Sequence, residues 1–85
     1  MKLTLKYFAS LRETLGAGGP LEWTPEDAPT AAALRAWLRS QSDAHAQALA
    51  PGRAVRVAVD QALADESATL RDGAEVAFFP PVTGG

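Results

Sequence analysis

The chain has 85 residues, which is enough for one small domain with a single hydrophobic core. Eight lysines and arginines are balanced by ten aspartates and glutamates, so the net charge of −2 predicts no basic surface for nucleic acid. Cysteine is absent, which excludes a disulfide framework, a thiolate nucleophile and a cysteine-ligated metal site. We expect no signal peptide and no membrane-spanning segment, and therefore a cytoplasmic protein.

The chain begins with a pattern that predicts a strand followed by a short helix. Leu3, Leu5 and Tyr7 alternate with polar residues, as in a half-buried β-strand. Residues 10–13 have the spacing of a capping box, so we expect a short helix that begins there and ends at Gly16.

A glycine-rich turn and a second strand, residues 21–24, are expected before the main helix. The pattern becomes helical at Thr30 and continues to about Gln41. Arg35 and Arg39 are predicted to lie off the buried face of this helix. The expected apolar face consists of Ala31, Leu34, Trp37 and Leu38.

The second half of the chain predicts three further strands. Residues 43–49 extend the helical region by a turn or two, and they contain His45, the single histidine. Because a metal site needs several converging ligands, we interpret His45 as a solvated surface residue and expect no bound metal. Strands are predicted around residues 55–59, 62–64 and 75–79.

This order of elements predicts an α+β fold of the β-grasp, or ubiquitin-like, type. A mixed sheet of four to five strands would pack on one main helix, with the last strand parallel to the first. We divide the chain into a β-grasp domain, residues 1–79, and an extended C-terminal tail, residues 80–85. The last strand would then be central, and the tail would protrude from a rigid base.

The tail has an unusual composition that suggests insertion into a partner. Pro80 and Pro81 cannot pair inside a sheet or join a helix, and Val82 and Thr83 follow them. Gly84 and Gly85 have no side chain, so their backbone fits a channel that is closed to other residues. At ~3.3 Å per residue the extended tail spans about 20 Å and carries one distinctive group, the carboxylate of Gly85.

Strand parity predicts an apolar patch at the base of this tail. If Leu3, Leu5 and Tyr7 face the core, Phe8 does not follow them, and Phe79 lies opposite to Phe78. Leu63 in the short fourth strand would complete an apolar patch consisting of Phe8, Leu63 and Phe79. Arg12 is a further candidate for partner binding.

The residues quoted above resemble those of the molybdenum cofactor sulfur carriers, the small subunits of molybdopterin synthases. The resemblance is carried by residues 7–13, by residues 72–77 and most specifically by residues 78–85, Phe-Phe-Pro-Pro-Val-Thr-Gly-Gly. Asp60 departs from the family, which commonly has asparagine there. The resemblance implies that the apolar patch contacts the partners.

The same resemblance implies a carrier that is not an enzyme by itself. Gly85 would be adenylated by a ubiquitin-activating-like adenylyltransferase that uses ATP, and would then become a thiocarboxylate (1-thioglycine). A large synthase subunit would receive the tail and pass the sulfur to a cyclic pyranopterin, in a heterotetramer. The carrier itself would bind no cofactor.

Two other functions are consistent with a Gly-Gly ending on this fold. One is a sulfur carrier for thiamin or tRNA thiolation, and the other is a ubiquitin-like modifier joined to lysines through Gly85. The sulfur carrier for another pathway need not share the Phe-Phe-Pro-Pro-Val segment, whereas a modifier would form conjugates of higher mass. A plain interaction module is a third alternative, and it predicts that Gly84 and Gly85 are dispensable.

Overall fold

The computed structural model describes residues 1–81 and contains five strands and three helices. Among these residues no helix is both long and apolar enough to cross a membrane. The strands are β1 (Lys2–Tyr7), β2 (Gly18–Glu22), β3 (Arg56–Val59), β4 (Ala62–Ala64) and β5 (Glu75–Phe79). The helices are α1 (Ala9–Leu15), α2 (Ala31–Arg39) and α3 (Asp43–Ala48).

The strands form one mixed sheet in the order β2-β1-β5-β3-β4. β1 is antiparallel to β2 and parallel to β5, while β3 is antiparallel to both β5 and β4. The last strand of the chain is therefore the central strand of the sheet. This confirms the predicted α+β, β-grasp architecture, although the boundary between domain and tail after Phe79 stays a prediction.

The core lies between one face of the sheet and the helices. The predicted alternation in β1 is confirmed, because Leu3, Leu5 and Tyr7 are buried while Lys2 and Thr4 are exposed. Thr30 caps α2 by accepting a hydrogen bond from Ala33 N at 3.1 Å. The largest fully buried side chains are Phe78, Leu34, Leu49, Leu70 and Val76.

The predicted capping box at Ser10 is wrong. α1 begins at Ala9, so its N-cap lies two residues earlier, at Phe8, which makes no side-chain cap hydrogen bond. The backbone N–H of Phe8 donates to Phe78 O at 3.2 Å, so strand pairing continues through Phe8. Ala9, with φ of 53°, then turns the chain directly into the helix. The predicted end at Gly16 is confirmed.

β2 begins at Gly18, three residues before the predicted start at Leu21, and ends at Glu22. The glycine-rich segment is thus part of the strand as well as the turn. A Cβ on Gly18 would lie 2.3 Å from Leu5 O, and its φ is 95°. Glycine permits this close approach of two backbones, which the sequence pattern alone presented as a turn.

The predicted end of α2 is two residues too late. The N–H groups of Ser40 and Gln41 donate to the carbonyls of Trp37 and Leu38, both at 3.0 Å. These bonds span three residues instead of four, so the helix tightens and ends at Arg39. His45 lies in α3 and is half-buried, which corrects its prediction as a solvated residue.

Arg35 is the largest error of the sequence prediction, because its side chain is buried, with 5% exposed. Its guanidinium donates to Leu49 O at 2.9 Å, to Ala50 O at 2.6 Å and to Arg53 O at 3.0 Å. It also pairs with Glu66 Oε2 at 2.9 Å. Arg35 therefore fastens α2 to the segment that leads into β3.

We predict that Tyr7→Phe makes the protein less sensitive to alkali. Burial raises the pKa of Tyr7 from 10.0 to about 12, so the folded chain holds this proton more tightly than the unfolded chain. The resulting stability is fully present below pH 10.0 and is lost as the pH rises toward about 12. Urea unfolding across that interval should show a steeper loss for the wild type than for Tyr7→Phe. Equal slopes for both proteins would contradict the prediction.

Candidate docking site on the free face of the sheet

The face of the sheet that is turned away from the helices is built from residues in register across four strands. Lys6 pairs with Ala77, Ala77 with Ala58, and Ala58 with Leu63. Ala77 has only 5% of its surface exposed, yet it is not part of the core cluster. These four residues therefore form a row on the free face, with small side chains at its centre.

The next row of the same face is aromatic and lies at the end of β5. Phe79 is in register with Arg56 on β3, and Phe8 follows β1 on the other side. Phe78, one residue earlier, has 1% of its surface exposed and lies in the core. The predicted parity of Phe78 and Phe79 is thus confirmed, whereas the role of Phe79 in binding stays a prediction.

A cleft of about 480 Å³ opens between these two rows, at the base of the tail. Ala58 and Ala77 lie on its sheet side, and Phe8, Phe79 and Pro80 contribute the bulky apolar surface. The alanines leave a hollow that larger side chains would fill. An apolar hollow next to a stiff diproline segment suits the insertion of an apolar side chain of a partner.

The charged residues beside the cleft are paired with each other. Lys6 Nζ lies 3.0 Å from Glu75 Oε1, a partly exposed pair that contributes at most about 1 kcal/mol to stability. Asp60 Oδ1 accepts a hydrogen bond from Glu75 N at 3.0 Å, and Asp60 N donates to Glu75 O at 2.8 Å. Asp60 thus holds the β3–β4 turn against β5. Its carboxylate oxygen accepts the hydrogen bond, so this contact does not require the asparagine that is common in the family.

The structure brings together some of the predicted site residues. Phe8 and Phe79 both line the cleft, whereas Leu63 lies beside Ala58 and does not line it. Phe8 and Leu63 are the exposed large hydrophobic residues of the described chain, at 45% and 66%. Arg12 is exposed on α1 and does not line the cleft. Of the predicted tail-insertion residues, Pro80 lines the cleft.

Four of the predicted site residues lie outside the described residues: Val82, Thr83, Gly84 and Gly85. Other cleft residues were missed by the sequence analysis. Ala58 and Ala77 could have been found by extending the parity of Phe79 along β5 and across to β3, and Lys6 by the parity of β1. Gln61 also lines the cleft, from the β3–β4 turn, for which the sequence gives no comparable signal.

Comparisons with known proteins identify the family of the chain. Residues 5–85 match the model of the ThiS family. The chain is 46% identical over 79 residues to the molybdopterin synthase sulfur carrier subunit of Escherichia coli, covering 93% of this chain and 94% of the relative. It is 40% identical over 84 residues to the protein of the same name from Haemophilus influenzae, covering 98% and 99%.

Solved structures show the same fold. The HVO 2177 protein of Haloferax volcanii is 32% identical, with a TM-score of 0.74 over 100% of this chain and 87% of that chain. A chain in the complex of subunits 1 and 2 of molybdopterin-converting factor from Helicobacter pylori matches with a TM-score of 0.66. The identity is 22%, and the match covers 100% of both chains. This second likeness shows the fold alone. The family model covers nearly the whole sequence, so the chain belongs to the ThiS family.

Proposed function

We propose that this chain is the sulfur carrier subunit of a molybdopterin synthase. The observation that carries the proposal is the identity of 46% and 40%, over nearly the full length, to two relatives with that name. The geometry supports it, because β5 is the central strand and leads directly past an apolar cleft into Pro80 and Pro81. A tail attached to a central strand starts from a rigid base.

The proposed chemistry takes place at the carboxylate of Gly85. A carboxylate is a poor electrophile, so its oxygen first attacks the α-phosphorus of ATP and pyrophosphate leaves. A sulfur donor then displaces AMP from the acyl adenylate, and the product is a thiocarboxylate. Each tail delivers one sulfur to the cyclic pyranopterin and returns to the carboxylate form, so the two sulfurs of the molybdopterin dithiolene come from two thiocarboxylate tails. The chain has no cysteine, so no internal thiol can intercept the activated acyl group.

The carrier and its two partners would have separate roles. The activating adenylyltransferase would bind ATP, and the large synthase subunit would supply the pterin site in a heterotetramer. The carrier would contribute the apolar patch for docking and the reactive terminus, so it would be a non-catalytic subunit. Because both partners would bind the same face and the same tail, they would bind the carrier one after the other.

An intact mass measurement on the chain purified from its native cells tests the proposal. We expect a fraction of the chain to show the mass change of one oxygen replaced by sulfur, located at Gly85 by fragmentation. Cells that lack the adenylyltransferase should yield only the carboxylate form. Conjugates of higher mass joined to lysines would instead indicate a protein modifier.

The two neighbouring phenylalanines should respond in opposite ways to truncation. Phe79→Ala should weaken binding to the large subunit by roughly 1–3 kcal/mol, the range for an aromatic anchor at an interface. Phe78→Ala should lower the free energy of unfolding by about 3–5 kcal/mol, because Phe78 is fully buried and its ring lies 6.3 Å from that of Tyr7. Titration calorimetry and urea unfolding measure the two effects.

Phe78→Ala and Phe79→Ala serve as controls for each other, since both changes remove the same ring from adjacent positions. Leu63→Ala tests whether the patch extends beyond the cleft to β4. Full binding by folded Phe79→Ala would show that the large subunit docks on another surface of the chain.

A further inference from the structure

Three charged residues lie in the rows that β5 forms with its two neighbouring strands: Lys6, Arg56 and Glu75. Alternation along the strands places all three on the free face, together with Phe79. Lys6 and Glu75 form the ion pair described above. Arg56 is exposed, and within residues 1–81 it takes part in no ion pair. One positive charge of these rows is therefore left without a partner among the described residues.

Arg56 lies at the end of the sheet from which the tail leaves. It is the first residue of β3 and is in register with Phe79, the last residue of β5. Residues that lie opposite each other in an antiparallel pair have their Cβ atoms about 5 Å apart. A partner that contacts the ring of Phe79 therefore also comes within reach of the guanidinium group of Arg56.

An unpaired arginine beside an apolar docking surface costs free energy when a partner covers it. The hydration that the charge loses has to be replaced by an opposite charge or by hydrogen-bond acceptors. The nearby carboxylates already have other partners, since Glu75 pairs with Lys6 and Asp60 accepts a hydrogen bond from Glu75 N. The planar fork of donors on a guanidinium matches a carboxylate best, so the replacement should come from an acidic side chain.

We propose that Arg56 pairs with an aspartate or glutamate of the large synthase subunit and so fixes the orientation in which the carrier docks. The inference rests on the proposed function, because it takes the free face as the docking site. The apolar cleft contributes contact area without a preferred direction. A charge pair at the rim of an interface contributes register and partner choice more than affinity.

A carboxylate at this place is compatible with a partner site that binds the anionic terminus. Residues 80–85 span about 20 Å when extended, at ~3.3 Å per residue. Charges exposed to solvent are largely screened from each other beyond about 8 Å at physiological ionic strength. An acidic residue beside Arg56 would therefore not repel the carboxylate of Gly85 at the far end of the tail.

Titration of the full carrier into the large subunit, followed by calorimetry, tests the pair. Arg56→Gln should weaken binding about three- to tenfold and make the affinity less dependent on salt concentration. Arg56→Glu should weaken it about ten- to a hundredfold, because like charges then face each other. Arg71→Gln is the matched control, since it removes the same charge from an exposed residue just before the turn into β5, at the opposite end of that strand. It should leave the affinity within about twofold.

Arg56→Lys identifies the group that Arg56 contacts. A carbodiimide joins an amine to a carboxylate in contact with it, as an amide with loss of water. We expect a cross-link between position 56 and an aspartate or glutamate of the large subunit, and none at position 71 in Arg71→Lys. A link only to a carboxylate of the carrier itself would overturn the proposal, and so would equal affinities of Arg56→Gln and the wild type.

Phe79→Ala separates this inference from the proposed function. If Phe79→Ala weakens the complex and Arg56→Gln does not, the docking site is supported and the role of Arg56 is refuted. If the wild-type carrier does not bind the large subunit at all, the proposed function and this inference fail together. The thermal unfolding midpoint of each variant shows whether it is folded.

Discussion

Deletion of Gly85 should abolish molybdopterin formation and leave the thermal unfolding midpoint nearly unchanged. The deletion moves the terminal carboxylate back by one residue, about 3.3 Å, which places it out of reach of a reacting group in the partner. A shift of about 1 Å from the productive geometry is already costly for catalysis. The core lies within residues 3–78, so its packing contacts are not removed.

Gly84→Val tests the steric part of the same idea. A β-branched side chain should prevent the tail from entering a narrow channel, and the loss of molybdopterin formation should approach that of the deletion. Gly52→Val is the matched control, because a Cβ on Gly52 meets no atom within 4 Å. This variant should keep full activity.

Both variants should be assayed with the adenylyltransferase, the large subunit, ATP, a sulfur source and the cyclic pyranopterin. Measuring adenylation separately from sulfur transfer shows which partner rejects the altered tail. Full pterin synthesis by the chain that lacks Gly85 would refute the assignment of the reactive group.

The elements that the sequence predicted best are those in which one periodicity fixes both structure and burial. Alternation in β1 and β5 placed Leu3, Leu5 and Phe78 in the core and Phe79 on the free face, because a strand turns successive side chains to opposite sides. The central position of β5 followed from the order of elements and from a long crossover that brings the last strand parallel to the first.

The features that the sequence could not reveal depend on contacts between distant segments. The start of α1 is set by the bond from Phe8 N to Phe78 O, across 70 residues, and not by Ser10. The cleft depends on two alanines on neighbouring strands, and alanine carries no local signal of a binding surface. The sequence around Gly18 predicts a turn, and it does not indicate the close approach of the Gly18 backbone to Leu5 O.

Arg35 illustrates the same limit most clearly. A helical pattern assigns arginine to solvent, since arginine is rarely buried unless its charge is paired. Here the partners come from residues 49–53 and from Glu66, which are 14 to 31 positions away along the chain. The sequence of α2 itself does not indicate these acceptors.

Arg35→Ala should lower the free energy of unfolding by about 3–5 kcal/mol, a large part of the roughly 5–15 kcal/mol typical of a domain. The change leaves the buried carbonyl of Leu49 without its donor, at a cost of about 1–3 kcal/mol. It also removes the guanidinium bonds to Ala50 O and Arg53 O, although Ala50 O keeps the hydrogen bond from Arg53 N at 2.9 Å. The packing of the arginine stem is lost as well. Urea unfolding measures the total.

Three further variants separate the causes of this loss. Arg39→Ala, one turn later in α2, should stay within about 0.5 kcal/mol of the wild type. Glu66→Gln should cost little, because the Glu66 side chain is 45% exposed and the pair is partly solvated. Arg35→Lys keeps the charge but not the planar fork of donors, so it should recover only a minor part of the loss. If Glu66→Gln proved as harmful as Arg35→Ala, the ion pair and not the three carbonyls would hold the segment that leads into β3.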